Sequence, residues 1–147
     1  MNTLSRVYLP LLLSITLATA ASSAWASEGL IDYMRTLQYF THKTGLAIDN
    51  KNSKLTSFYA HEIEETLEEV EKIKTYDGHS IGAMAKKTLE PAFEKLEDAI
   101  EKNQWSATSD NFDKLLNACN QCHKDTDHGY IKIVRQTNNP YMQSFAP

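Results

Sequence analysis

The sequence predicts an all-α fold, an antiparallel up-down-up-down four-helix bundle with a short irregular C-terminal tail. Three observations carry that reading. Apolar residues recur at 3.6-residue spacing in four successive segments. Short polar connections separate the segments, which favours antiparallel neighbours. No alternating strand pattern precedes residue 130.

The first helix is expected from about Gly29 to Ile48. Leu30, Met34, Leu37, Thr41, Gly45 and Ile48 fall on one stripe. Asp49 to Ser53 is a polar turn, and Asn52 or Ser53 can cap the next helix. The second helix is expected from about Lys54 to Tyr76, with Leu55, Tyr59, Ile63, Thr66, Val70 and Ile73 inside. Glu62, Glu64, Glu65, Glu68, Glu69 and Glu71 load the rest of it, the pattern of a solvated face. Asp77 and Gly78 are expected to end it.

The third segment runs from about Ser80 to Asn103 on Ile81, Ala85, Leu89, Ala92, Leu96 and Ala99, widened by Phe93 and Ile100. Pro91 in its middle removes a hydrogen bond and crowds the preceding turn, which predicts a kink or two shorter helices meeting there. The fourth helix comes after Trp105, with Ser106 as the expected N-cap and Gly129 as the expected end. Phe112, Leu115, Leu116, Cys119 and His123 share one of its faces, with Cys122 at the edge. Tyr130 to Val134 reads as extended, and Asn139 with Pro140 as a turn.

Residues 1–26 read as a secretory signal peptide. Arg6 gives a small positive start, Leu9 to Leu17 is mostly apolar, and Ala24-Trp25-Ala26 forms an A-x-A site before Ser27. The apolar run is shorter than the roughly 20 residues of a transmembrane helix, so cleavage after Ala26 is expected to leave one domain, 27–147, with no membrane insertion. The formal net charge is −4, and losing Arg6 makes it more negative. Nothing basic points to nucleic acid or anionic lipid, and an acidic surface favours a basic patch on a partner.

The chain has two cysteines, and both lie in Cys119-Asn120-Gln121-Cys122-His123. C-x-x-C-H is the attachment signature of a c-type haem. Each thiol can add across one haem vinyl group. The two intervening residues put the sulfurs about one helical turn apart. The adjacent histidine can place a ring nitrogen on the iron as proximal ligand. A zinc site would need two further ligands, and no second C-x-x-C or H-x3-H pair exists. A thioredoxin-like dithiol would accompany a βαβ pattern, which is absent. Covalent haem attachment in bacteria occurs outside the cytoplasmic membrane, so motif and leader agree on the periplasm.

Four helical segments with C-x-x-C-H on the last resemble the cytochrome c′ family, the class II c-type cytochromes; mitochondrial-type cytochromes carry the motif near the N-terminus. The resemblance is architectural, covers most of residues 27–147, and is that of a divergent member. The family places a basic residue shortly after its haem histidine; here Lys124 follows immediately, and Asp125, Asp127, His128 and Gly129 do not reproduce that pattern. The resemblance implies one covalent haem c, a distal residue from the first helix, and a homodimer through the first two helices. Phe40 and Phe58, off the inner stripes, suit such a contact or a packing site for the tail.

Met34 is the candidate distal group. His123 is about six residues, or ~9 Å, from the expected end of its helix. In antiparallel neighbours the matching level of the first helix is Met34. As a thioether ligand Met34 makes a low-spin carrier; as a bulky neighbour it lines a gas pocket, and a core methionine is the commoner fate. His42 lies ~12 Å further along that helix. His61 reads as a surface partner of Glu65, and His79 and His128 as loop or helix-end residues. Lys43, Lys124 and Arg135 are candidate partners for the haem propionates, Arg135 first because its guanidinium pairs bidentately.

Two functions are compatible with these residues: single-electron transfer with a redox partner protein, or, as the alternative, a five-coordinate haem module binding nitric oxide or carbon monoxide. A third, peroxidase-like catalysis, needs a distal acid–base group that no residue supplies by position. No nucleophile triad, phosphate loop or carboxylate dyad is readable, so no hydrolase or transferase is expected.

Overall fold

The computed structural model describes residues 20–147, with their side chains from residue 29 onward. Residues 1–19, most of the expected signal peptide, lie outside the described residues. Among the described residues five α-helices succeed one another: α1 (Ala20–Asp49), α2 (Ser53–Glu71), α3 (Ile81–Thr88), α4 (Glu90–Glu101) and α5 (Trp105–Asp125). No strand occurs among the described residues; Tyr76 and His79 form one isolated bridge.

The apolar stripes decide the packing. Leu30, Thr41, Gly45 and Ile48 of α1 are buried, as are Tyr59, Ile63, Thr66 and Val70 of α2. Leu89, Phe93 and Leu96 meet Phe112, Leu115 and Leu116 in the same core. α1 lies along α2, α2 against α3 and α4, α4 along α5, and α5 returns to α1. Gly45 makes the last approach close: a methyl group there would stand 3.1 Å from the Phe112 ring.

Several boundaries differ from the sequence expectation. The third segment takes the alternative expected at Pro91, two shorter helices in place of one kinked helix: Pro91 sits at the start of α4, where its missing N–H costs nothing, and the break falls at Leu89. The described residues therefore hold five helices in place of four. α1 begins at Ala20 instead of Gly29. α2 ends at Glu71 instead of Tyr76, because residues 72–80 turn back on themselves. Tyr76 and His79 exchange two backbone hydrogen bonds of 2.9 Å. Between them Asp77 and Gly78 both have positive φ, 46° and 81°, the requirement of a tight two-residue reversal. α5 starts at Trp105 with Gln104 as N-cap, so Ser106 does not cap it, and it ends at Asp125, before Gly129. Asn52 does cap α2, its Oδ1 accepting the Leu55 N–H at 3.1 Å.

The turn after α2 seats α3 through Gly82, whose N–H donates to the Ile73 carbonyl at 2.8 Å. A Cβ on Gly82 would lie 2.1 Å from the Glu71 carbonyl oxygen. Neither partner is a flexible side chain, so the backbone itself must move. Gly82→Ala is expected to destabilise the fold by about 3 kcal/mol, read as a lower urea midpoint at unchanged slope. An unchanged midpoint would mean that α3 is not seated there.

The segment after α5 lies on the bundle as an ordered strap. Phe145 is buried with Tyr59, Leu46 and Ala47, and Phe40 packs against that cluster. Asn52 Nδ2 donates to the carbonyls of Phe145 and Ala146 at 3.2 and 2.9 Å. Lys43 sits among the rings of Tyr39, Tyr59 and Tyr141, at 4.6, 5.2 and 4.8 Å, and donates to Gln143 Oε1. Phe58 remains 53% exposed.

Candidate functional site

α1 and α5 are pinned together where Gly45 meets Phe112, and toward the other end of α1 a cavity of about 350 Å³ opens between α1, α3 and α5. Leu30, Met34 and Leu37 line it from α1, and Ile81, Met84 and Ala85 from α3. Cys119, Cys122 and His123 line it from α5, and His128, Ile131 and Ile133 from the strap. Its walls are mainly apolar, as in small-molecule and cofactor sites. Met34 and Leu37 are less buried than Thr41 or Ile48 on the same stripe because they face this space.

Cys119 and Cys122 are free thiols. Burial, helped by the neighbouring Cys122, pushes the Cys119 thiol up to about 12. Burial also raises Cys122, against a hydrogen bond from Thr88 at the α3–α4 break that lowers it. Both sulfurs are thus protonated at neutral pH. A reactive redox dithiol needs the reverse, a lowered thiol in an electropositive setting.

His123 is oriented by the strap. Its Nδ1 lies 2.9 Å from the Ile131 carbonyl oxygen. A carbonyl can only accept, so Nδ1 carries a proton, and in the neutral ring the lone pair is on Nε2. Metal-ligating histidines are commonly held in this way, and the contact raises the basicity of the other nitrogen. Thr126 closes the end of α5, its hydroxyl donating to the carbonyls of Cys122 and His123 at 3.0 and 3.2 Å.

Met34, Cys119, Cys122 and His123 are therefore brought to one cavity. Arg135 is not among its lining residues. It lies in an adjoining cavity of about 460 Å³ that shares Arg35, Gln38, Thr41 and Ile133 with the first. There its guanidinium pairs with Asp49 at 2.5 Å and Asp113 at 3.0 Å, and lies over the Phe112 ring. His42 lines the adjoining cavity with both nitrogens engaged: Nε2 donates to the Asn138 carbonyl, and Nδ1 accepts from the Tyr141 hydroxyl. His61 is exposed, 3.4 Å from Glu64 and 3.6 Å from Glu65. His79 lies 3.7 Å from Asp127. Lys43 is in the tyrosine cluster and Lys124 is exposed, and neither lines the cavity.

Two participants were missed by sequence reasoning. His128 lines the cavity, its Nδ1 donating to the Thr126 carbonyl at 2.6 Å. Arg35 borders both cavities and pairs with Asp32 at 2.7 Å. His128 lies beyond the helix end, where periodicity carries no information; Arg35 is one residue past Met34 and reads as a polar flank. Among the described residues no three His, Cys, Asp or Glu side chains gather as a metal site, and no helix is long and apolar enough to cross a membrane. Comparison with protein-family models, curated proteins and solved structures finds no match.

Proposed function

We propose that this chain is a periplasmic monohaem c-type cytochrome, a divergent relative of the cytochrome c′ family, acting in single-electron transfer. One observation carries the reading. The two thiols of C-x-x-C-H, a histidine whose Nε2 is left available, and a methionine from another helix line a single apolar cavity. This donor set fits haem c: two sulfurs on one helical turn for the vinyl groups, and a nitrogen and a thioether for the iron. When bound, the haem supplies an iron that cycles between the ferrous and ferric states. Cys119 and Cys122 would hold it by thioether bonds, each thiol adding its sulfur and hydrogen across one vinyl group. His123 would give Nε2 as the proximal ligand and Met34 its sulfur on the distal side. Arg35, at the wall shared by the two cavities, would hold the propionate edge, while Arg135 stays engaged with Asp49 and Asp113 and does not serve as the propionate partner expected from the sequence.

In this reading α3 and α4 act as one broken helix, making the five helices an antiparallel up-down-up-down four-helix bundle. Two pairings support it: Gly45, late in α1, meets Phe112, early in α5, while the earlier Met34 shares its cavity with the later His123. The signal peptide would direct export and be removed after Ala26. The partner would be a redox protein, and Phe58 offers an exposed apolar contact on α2 for a homodimer. The optical spectrum of the exported protein tests the function. Low-spin bands with a methionine–iron charge-transfer feature are expected. High-spin bands that shift with nitric oxide would overturn electron transfer in favour of a gas-binding module.

A further inference from the structure

The haem motif carries a residue that the attachment chemistry does not use. Asn120 faces the strap and meets the backbone of Ile133 twice. Its Nδ2 donates to the Ile133 carbonyl at 2.8 Å, and its Oδ1 accepts the Ile133 N–H at 2.8 Å. A side-chain amide is the neutral group that can satisfy both main-chain atoms of one extended residue, as a strand partner would.

This pair is one rung of a longer contact. The strap descends α5 as its own numbering rises: Ile131 receives the His123 Nδ1–H, Ile133 pairs with Asn120, and Arg135 reaches Asp113 and Ser109. Residues 109, 113, 116, 120 and 123 recur at the three- and four-residue steps of one helix face. A single face of α5 thus fixes an extended segment along it. Between Ile131 and Ile133 the strap has almost no freedom to slide, because a shift of one residue would point the wrong backbone groups at Asn120 and His123.

We infer that Asn120 is a positioning residue for His123: by locking Ile133 it sets where the Ile131 carbonyl stands, and hence the proton and orientation of the imidazole. The inference rests on the haem reading for its effect on iron, and on geometry alone for its effect on the ring. Losing the carbonyl contact makes the imidazole a weaker donor, which stabilises ferric iron less. The reduction potential should then rise.

The test uses the exported protein. Haem staining of a denaturing gel first shows whether the wild type carries covalent haem. With haem present, Asn120→Ala should raise the reduction potential and speed exchange of the Ile133 amide on the order of tenfold. Asn120→Asp keeps the acceptor for the Ile133 N–H and should fall between. Gln121→Ala, in the same motif but hydrogen-bonded only to Asp125, should match the wild type. A purely structural role would lower stability without moving the potential of the folded protein. Should Asn120→Ala fail to load haem, Ile133→Pro removes the same N–H with the motif intact, and the same rise is expected. A wild-type potential in a loaded variant overturns the inference. If the wild type carries no haem, the cofactor reading falls, and Asn120 is judged on the haem-free chain by ring nitrogen shifts. A single Nδ1–H form in the wild type that becomes mixed in Asn120→Ala supports positioning, and identical shifts overturn it.

Discussion

Replacing both Cys119 and Cys122 with serine is expected to abolish covalent haem attachment completely. The hydroxyl is a far poorer nucleophile toward a vinyl group than the thiol, and the chain has no other cysteine to substitute. Any haem that still entered would be held through His123 and apolar contact alone, and acid–acetone extraction would strip it. The consequences extend to the fold. The cavity of about 350 Å³ is walled by Leu30, Leu37 and Ala85, apolar side chains that pack against the cofactor in the proposed holoprotein. Left unfilled, such a space lowers stability steeply, because its lining loses its contact partners. The double variant should therefore accumulate poorly. Retention of haem through extraction would mean that the sulfurs do not hold it.

Met34→Ala is expected to have the largest effect on spectrum and ligand access. Two independent observations lead to it: Met34 belongs to the inner stripe of α1, and it shares a cavity with His123 across the bundle. If its sulfur completes the iron coordination, the variant loses its low-spin character and its charge-transfer feature, and it binds carbon monoxide where the wild type does not. His61→Ala, on the exposed face of α2, should change neither. An unchanged spectrum and unchanged carbon monoxide kinetics in Met34→Ala would remove Met34 from the iron.

The helix faces were legible in the sequence because each faces the same core along its length. Leu30, Ile48, Ile63, Val70, Leu96 and Phe112, read from spacing alone, are all buried. Helix ends were less legible, for identifiable reasons. Ser106 has the chemistry of an N-cap, yet Trp105 already belongs to α5 and no side chain caps it. The end of α2 depends on the reversal at Asp77 and Gly78 and on the close seat of Gly82, contacts that have no period.

The site divides in the same way. Cys119, Cys122 and His123 come from a local motif, and Met34 from two helices meeting at one level. Met34 and His123 line one cavity although both helix boundaries used to pair them moved, because the register is set by the whole stripe and not by its ends. Residues 131–147 read as an irregular tail, since they have neither helical nor strand periodicity. They are held by side chains of Asn120, His123, Ser109, Asp113 and Asn52 reaching across long sequence separations, and by Phe145 in its own small core. Such partners cannot be found by inspecting the tail itself. The same cause explains His42, whose two nitrogens are occupied by tail residues, and Arg135, which ties the strap to Asp49 of α1 as well as to α5.

The intact mass of the exported protein under denaturing conditions tests the central claim most directly. Covalent attachment through Cys119 and Cys122 predicts the mass of the chain from Ser27 to Pro147 plus one haem, with nothing lost on unfolding. The mass of the bare polypeptide would contradict it.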